Sequence, residues 1–128
     1  MNIFVGSNDY VEINLYIGEE NGYLGCVTDE KEAKKVFDEE KYETHWVRFK
    51  HPTYGTSLKI QELSFNINSE DGRAVFDPLG FRSNRCFILL KDWSFVDANN
   101  NKVTPNRENM ERMNDTIAQT ILLELDKV

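Results

Sequence analysis

The chain has 128 residues, which suffices for one continuous hydrophobic core and is short for two independent ones. It is 40% hydrophobic and 29% charged, inside the globular range and away from the low-hydrophobicity signature of disorder. Twenty-two acidic residues against 15 basic ones leave a formal charge of -7, a field that opposes non-specific attraction to phosphate backbones or anionic lipid, so nucleic acid and membrane surfaces are not expected partners.

Val11, Ile13, Leu15 and Ile17 alternate with Glu12, Asn14 and Tyr16, the period-two pattern of a strand with one buried face. Asn21-Gly22 can take positive backbone angles at low cost and precedes the apolar run Tyr23 to Val27, so a β-hairpin is predicted. Asp29 to Glu40 reads as a short surface helix, with Asp29 and Glu32 spaced as a capping box and Ala33, Val36 and Phe37 as its apolar stripe. Thr44 to Lys50 has strand character around Trp46, Val47 and Phe49, and His51-Pro52 ends it.

From Thr53, the spacing of Tyr54, Leu58, Gln61 and Phe65 favours a helix over the strand that Leu58 and Ile60 would allow. Asn66 to Arg73 is almost devoid of apolar residues and reads as an exposed loop. Asp77-Pro78 is a helix start, and Leu79, Arg82, Cys86, Leu89 and Trp93 then recur at helical spacing, predicting a central helix through Trp93. After the turn-forming Asp97 to Asn101, Thr104-Pro105 starts another helical segment, which Asn114-Asp115 can interrupt and recap. Ile117, Ala118, Ile121, Leu122 and Leu125 form one face of a terminal amphipathic helix. The expected architecture is α+β: one domain over 1–128, strand-rich over 1–52, helical over 53–128, with an N-terminal β-hairpin and a third strand packed on three to four helices.

No export signal is expected, because acidic and amide residues interrupt the first apolar stretches. The later run Cys86 to Leu90 is far short of the roughly 20 residues that span a bilayer. Cys26 and Cys86 are far apart and form no C-x-x-C pair, which fits a reducing compartment and the cytoplasm.

Among candidate sites, Asp97-x-Asn99-x-Asn101 with Glu108 has the ligand offsets of a calcium loop. Lys102 stands where that loop needs glycine and Pro105 falls inside it, so an Asn-rich turn is the better reading. His45 could join Cys26 or Glu43 in metal binding or proton transfer, and His51 lies at the far end of the same strand, but neither has a convergent ligand set. Cys86 falls on an apolar helix face, where a thiol packs as a small hydrophobe. Glu39, Glu40 and Glu43, with Asp29 to Glu32, read as a solvated acidic face. The chain carries no Walker loop, G-x-S-x-G, H-E-x-x-H or G-x-G-x-x-G, so a non-enzymatic protein without metal or cofactor is expected.

The segment Leu89 to Asp97, then Asn99 to Val103, Thr104-Pro105 and the helix ending near Leu125, resembles the bacteriophage tail assembly chaperones. In these, a helix ends in a tryptophan-containing W-x-ϕ-x-D stretch, followed by a short turn, a Thr-Pro or Thr-Glu helix start and a closing helix. Trp46 to Lys50, Pro52 to Gly55 and Leu58 to Leu63 are similar to the upstream strand and first helix of such proteins. The likeness spans about the C-terminal two-thirds, Val11 to Val27 match nothing specific, and Asn100-Asn101 replace a common glycine.

The resemblance implies a non-enzymatic role in the host cytoplasm: coating the helical tape-measure protein during tail morphogenesis, keeping it soluble, and recruiting tail-tube subunits. It points to Trp93, Phe95, Ile117, Ile121 and Leu125 as core or partner-binding groove residues, with homo-oligomerisation compatible. A terminal helix with one chain connection could also swing out and offer Ile117, Ile121 and Leu125 to a partner. The alternatives are a structural virion component, such as a tail-completion or connector subunit, and an acidic decoy for a basic host protein.

Overall fold

In the computed structural model, which describes residues 1–37 and 41–128, alternation of apolar residues builds the central sheet. Strands β1 (Tyr10–Glu20), β2 (Tyr23–Val27), β3 (Tyr42–Lys50) and β6 (Leu90–Trp93) form one antiparallel sheet in the order β2-β1-β3-β6. Asn21 and Gly22, at φ 54° and 84°, make the expected turn between β1 and β2. Ile13, Leu15, Val47, Phe49 and Trp93 project to one face of this sheet and are buried there.

Helices cover that face. Between the strands lie α1 (Glu30–Val36), α2 (Tyr54–Glu62), a small hairpin of β4 (Phe65–Ile67) and β5 (Ala74–Phe76), and α3 (Pro78–Leu89); α4 (Arg107–Glu111) and α5 (Asp115–Asp126) close the chain. The core joins both halves of the sequence, since Ile13 and Val47 share one buried cluster with Ile60, Cys86, Met110, Ile121 and Leu125. The α+β class therefore holds, with four helices after residue 53. Among the described residues, no helix is long and apolar enough to cross a membrane.

Several boundaries differ from expectation. The central helix stops at Leu89, and Trp93 lies on β6. Leu90 pairs with Phe49 and Trp93 with Val47, while the register shifts between Arg48 and Phe49, so two residues three apart both face the core and imitate helical spacing. Leu79, counted on the buried stripe, is 77% exposed. In α2 the buried residue is Ile60, whereas Tyr54 and Leu58 face solvent and Phe65 belongs to β4. The loop predicted over 66–73 is largely a hairpin turn, closed by an Asn68 amide to Arg73 carbonyl bond of 2.8 Å. Strands of three residues are too short to show alternation, so only their pairing reveals them. Region 53–128 is thus not purely helical.

Caps agree better with the sequence. Asp29 caps α1 and Asn114 recaps the last helix after α4, as the side chains' short reach allows, and Thr53 caps α2; Asp77 precedes Pro78 at the start of α3 but makes no side-chain capping bond. Asn106, rather than Thr104, caps α4. The predicted extension of α1 to Glu40 falls partly on residues 38–40, outside the described residues, and α1 itself ends with Phe37 as its C-cap.

The sheet's outer face closes locally around aromatic rings. Gly18 and Gly25 pair across β1 and β2, and their missing side chains make a seat for the Phe37 ring, which is 1% exposed. Tyr42 lies beside Phe37 and packs edge-on against Tyr16. Farther along the same face, the Arg48 guanidinium sits 4.7 Å from the Tyr10 ring centroid and 4.0 Å from that of Trp46, and Nε donates to Glu12 at 2.9 Å.

The Gly18 seat yields a direct test. A Cβ at position 18 would fall 2.7 Å from Phe37 Cδ1 and 2.9 Å from the Lys41 carbonyl oxygen, so ring and backbone must both shift. Gly18→Ala is expected to lower the unfolding free energy by about 1–3 kcal/mol in urea denaturation. Gly22→Ala, with open space around its Cβ, loses stability only through its positive φ.

Candidate protein-binding groove

At the hairpin end of the sheet, the helices no longer cover the inner face. A cleft of about 920 Å³ opens there, with Ile17, Leu24, Phe95 and Ile117 as its apolar lining. Glu19, Glu43 and Asp97 stand around these side chains, together with Lys41, Tyr42 and His45. An apolar floor within a mainly acidic rim is suited to an apolar segment that also carries positive charge.

The cleft exists because β6 leaves β3 early. The Ser94 amide donates to the Trp46 carbonyl at 3.0 Å, and the Trp46 amide donates to the Ser94 hydroxyl oxygen at 2.9 Å. A side chain thus replaces the next backbone acceptor of the ladder. Beyond this point, Phe95 and Val96 turn to meet Val103 and Lys102. Polar groups of alternate residues point the same way along a strand, so the amide and carbonyl of Thr44 face the side that β6 has vacated. Among the described residues, nothing hydrogen-bonds to them.

His45 lies under the rim, with its side chain 14% exposed. Its Nδ1 is 3.2 Å from Ser94 Oγ and its Nε2 is 2.9 Å from Glu43 Oε2, while the ring packs on Phe95 at 5.1 Å. Nε2–H donates to the carboxylate, and the single Ser94 hydroxyl proton has two acceptors within reach, Nδ1 and the Trp46 carbonyl at 3.4 Å. This Ser–His–Glu chain has the composition of a nucleophile relay. Its serine oxygen, however, is engaged by the Trp46 amide and fills a ladder position, so the chain acts as a brace holding β3 and residues 94–95 together. His51, at the far end of β3, is exposed and apart from this group.

The five residues predicted as core or groove divide. Trp93, Ile121 and Leu125 are at most 2% exposed and belong to the core. Ile117, 8% exposed, and the partly buried Phe95 line the cleft. The terminal helix faces inward in this structure. Arg85 donates to the carbonyls of Leu125 and Val128 at 2.8 and 3.0 Å, and Arg82 pairs with Asp126 at 2.9 Å. Sequence reasoning missed Ile17, Leu24 and Glu19 as groove residues, since the hairpin signal says nothing about which end of the sheet is left open.

The calcium-like motif is a turn. Asp97 Oδ1 accepts the amides of Asn99 and Asn101 at 2.9 and 3.0 Å, and Asn100 takes φ 64°. Lys102 reaches back to Asp92 at 2.8 Å and, with the Trp93 amide, holds the Asp92 carboxyl below the usual carboxylate range. Among the described residues, no three potential metal ligands converge. Of the acidic face, Glu39 and Glu40 lie outside the described residues, and Glu43 is on the groove rim. Comparison with family models, curated proteins and solved structures found no match to this chain.

Burial raises both thiols, Cys26 from an ordinary 9.0 to about 11 and Cys86 to about 12. Neither is ionised at neutral pH, and native alkylation is expected to be far slower than in urea. Between pH 9 and about 11, the unfolded chain loses thiol protons that the folded chain keeps. This contribution to stability is fully present below pH 9 and declines as pH rises above it; Cys26→Ser should flatten the decline in urea midpoints measured from pH 8 to 10.5. Ser94→Ala leaves the Trp46 amide without its partner, and a loss of about 1–3 kcal/mol in the same assay is expected.

Proposed function

We propose that this chain is a non-enzymatic protein-binding module of the tail assembly chaperone kind, which takes a segment of the tape-measure protein into the groove at the hairpin end of its sheet. The observation that carries this reading is a cleft with an apolar floor and an acidic rim that lies beside a stretch of β3 whose Thr44 backbone groups, between the lining residues Glu43 and His45, have no ladder partner among the described residues. Main-chain hydrogen bonds along a free strand edge give affinity with little demand on sequence, while side-chain pockets give specificity. A chaperone that must engage many similar segments of one long partner benefits from that combination, because repeated weak contacts add through avidity. The resemblance of residues 89–125 to the tail assembly chaperones supports the choice of partner. Recruitment of tail-tube subunits belongs to the same proposal.

The test uses a tagged chain expressed during phage infection. The tape-measure protein, identified by mass spectrometry as the longest helix-rich tail component, is expected to co-purify from lysate, and the chain is expected to be missing from finished particles. Thr44→Pro removes an amide on the open edge of β3 beside the groove and leaves the β1 ladder intact, so it should reduce recovery at least several-fold, as should Glu43→Lys. Persistence in particles would identify a structural tail component, and recovery of only a basic host protein in a salt-sensitive complex would identify a decoy. Undiminished recovery by both variants would remove the groove from the binding surface.

A further inference from the structure

The β4–β5 hairpin shows most of its apolar side chains to solvent, although two-stranded ribbons are marginal alone. Phe65 is 48% exposed, Ile67 78%, Val75 51% and Phe76 45%. Pairing places Phe65 opposite Phe76 and Ile67 opposite Ala74, so these four share one face of the ribbon. Contiguous apolar exposure of this kind marks an interaction surface.

The hydrogen-bond parity shows which edge is available. The Asp77 amide donates to the Ser64 carbonyl at 2.7 Å, and the Asn68 amide to the Arg73 carbonyl at 2.8 Å. Residues 73, 75 and 77 therefore turn their polar backbone groups toward β4, and Ala74 and Phe76 turn theirs to the outer edge of β5. No hydrogen bond among the described residues uses those outer groups.

The sequence around this edge is self-complementary. An antiparallel partner strand centred on Val75 sets Ala74 against Phe76 and Arg73 against Asp77 when the partner is another copy of the same strand. Each Ala74–Phe76 pair exchanges two main-chain bonds, small faces large on the apolar side, and opposite charges meet at both ends. Arg73 is 83% exposed and held only by a long ion pair to Asp71 at 4.0 Å, while the Asp77 carboxylate accepts from the Asn66 side-chain amide at 3.3 Å and keeps further acceptor capacity. The geometry points to a two-fold homodimer in which β5 pairs with β5 of a second copy, joining two hairpins into a four-stranded ribbon with one continuous apolar face. This inference is independent of the groove, which lies elsewhere on the fold.

Sedimentation equilibrium of the full chain is expected to show a reversible monomer–dimer system. Arg73→Asp sets two carboxylates together at each end and should weaken the dimer about tenfold or more, and Arg73→Asp with Asp77→Arg should restore it. Ala74→Pro removes only an outward amide and should also weaken it, with circular dichroism confirming that each variant folds. In a Cys26→Ser background, Val75→Cys places two thiols across the dyad at a closely spaced, non-hydrogen-bonded pair and should form a disulfide dimer on mild oxidation, while Ile67→Cys should not. A wild-type chain that stays monomeric over the micromolar range overturns the inference. So does a dimer indifferent to Arg73→Asp and Ala74→Pro, or one in which Ile67→Cys crosslinks as readily as Val75→Cys.

Discussion

Trp93 is the point on which the rest of the structure depends. Its ring is 1% exposed at the centre of the core, and its indole N–H donates to the Val103 carbonyl at 2.6 Å. One side chain thereby ties the edge strand β6 to the chain returning toward α4 and α5. Burial of so large an aromatic side chain dominates local packing, and the buried N–H requires its partner. Once Trp93 and Val103 are fixed, residues 94–102 have to turn back on themselves. The Asp97 turn and the Val96–Lys102 bridge are the means by which they do so.

The groove follows from the same constraint. A β6 strand that continued beside β3 would satisfy Thr44. Instead, the Ser94 hydroxyl takes the last ladder position and Phe95 is turned onto His45. The open end of the sheet is then the consequence of a short edge strand, and its acidic rim comes from residues on three separate segments, Glu19, Glu43 and Asp97. Edge strands with unpaired backbone groups invite association, and folded proteins usually shorten, charge or cover them. The edges at Thr44 and along β5 are among those without a ladder partner in the described residues, and charge stands beside each.

Those two edges differ in what they favour. The groove edge lies in a concave site with fixed walls, suited to a segment of another molecule. The β5 edge is on a projecting ribbon whose flanking Arg73 and Asp77 make it complementary to itself. On the two proposals above, paired copies would bind a long partner at intervals, and repeated weak contacts would add through avidity.

Alternation along Val11 to Ile17, the Asn21-Gly22 turn and the capping side chains at Asp29, Thr53 and Asn114 determined their own local structure, because each acts through neighbours within a few residues. The apolar stripe of the last helix was equally legible from Ile117, Ile121 and Leu125, but that it packs inward was decided by the tertiary structure. Tertiary structure alone decided that Leu90 to Trp93 is a strand, since the core contacts that its register shift permits have the same spacing as a helix. It alone decided that residues 65–76 form a ribbon, because three-residue strands carry no periodic signal. The groove was partly legible, in Phe95 and Ile117, but its floor at Ile17 and Leu24 and its rim at Glu19 were not. Those positions look like any sheet face until the distant residues 95–98 are set beside them as the opposite wall of the cleft, and the turn that sets them there is tied by one buried tryptophan and its hydrogen bond.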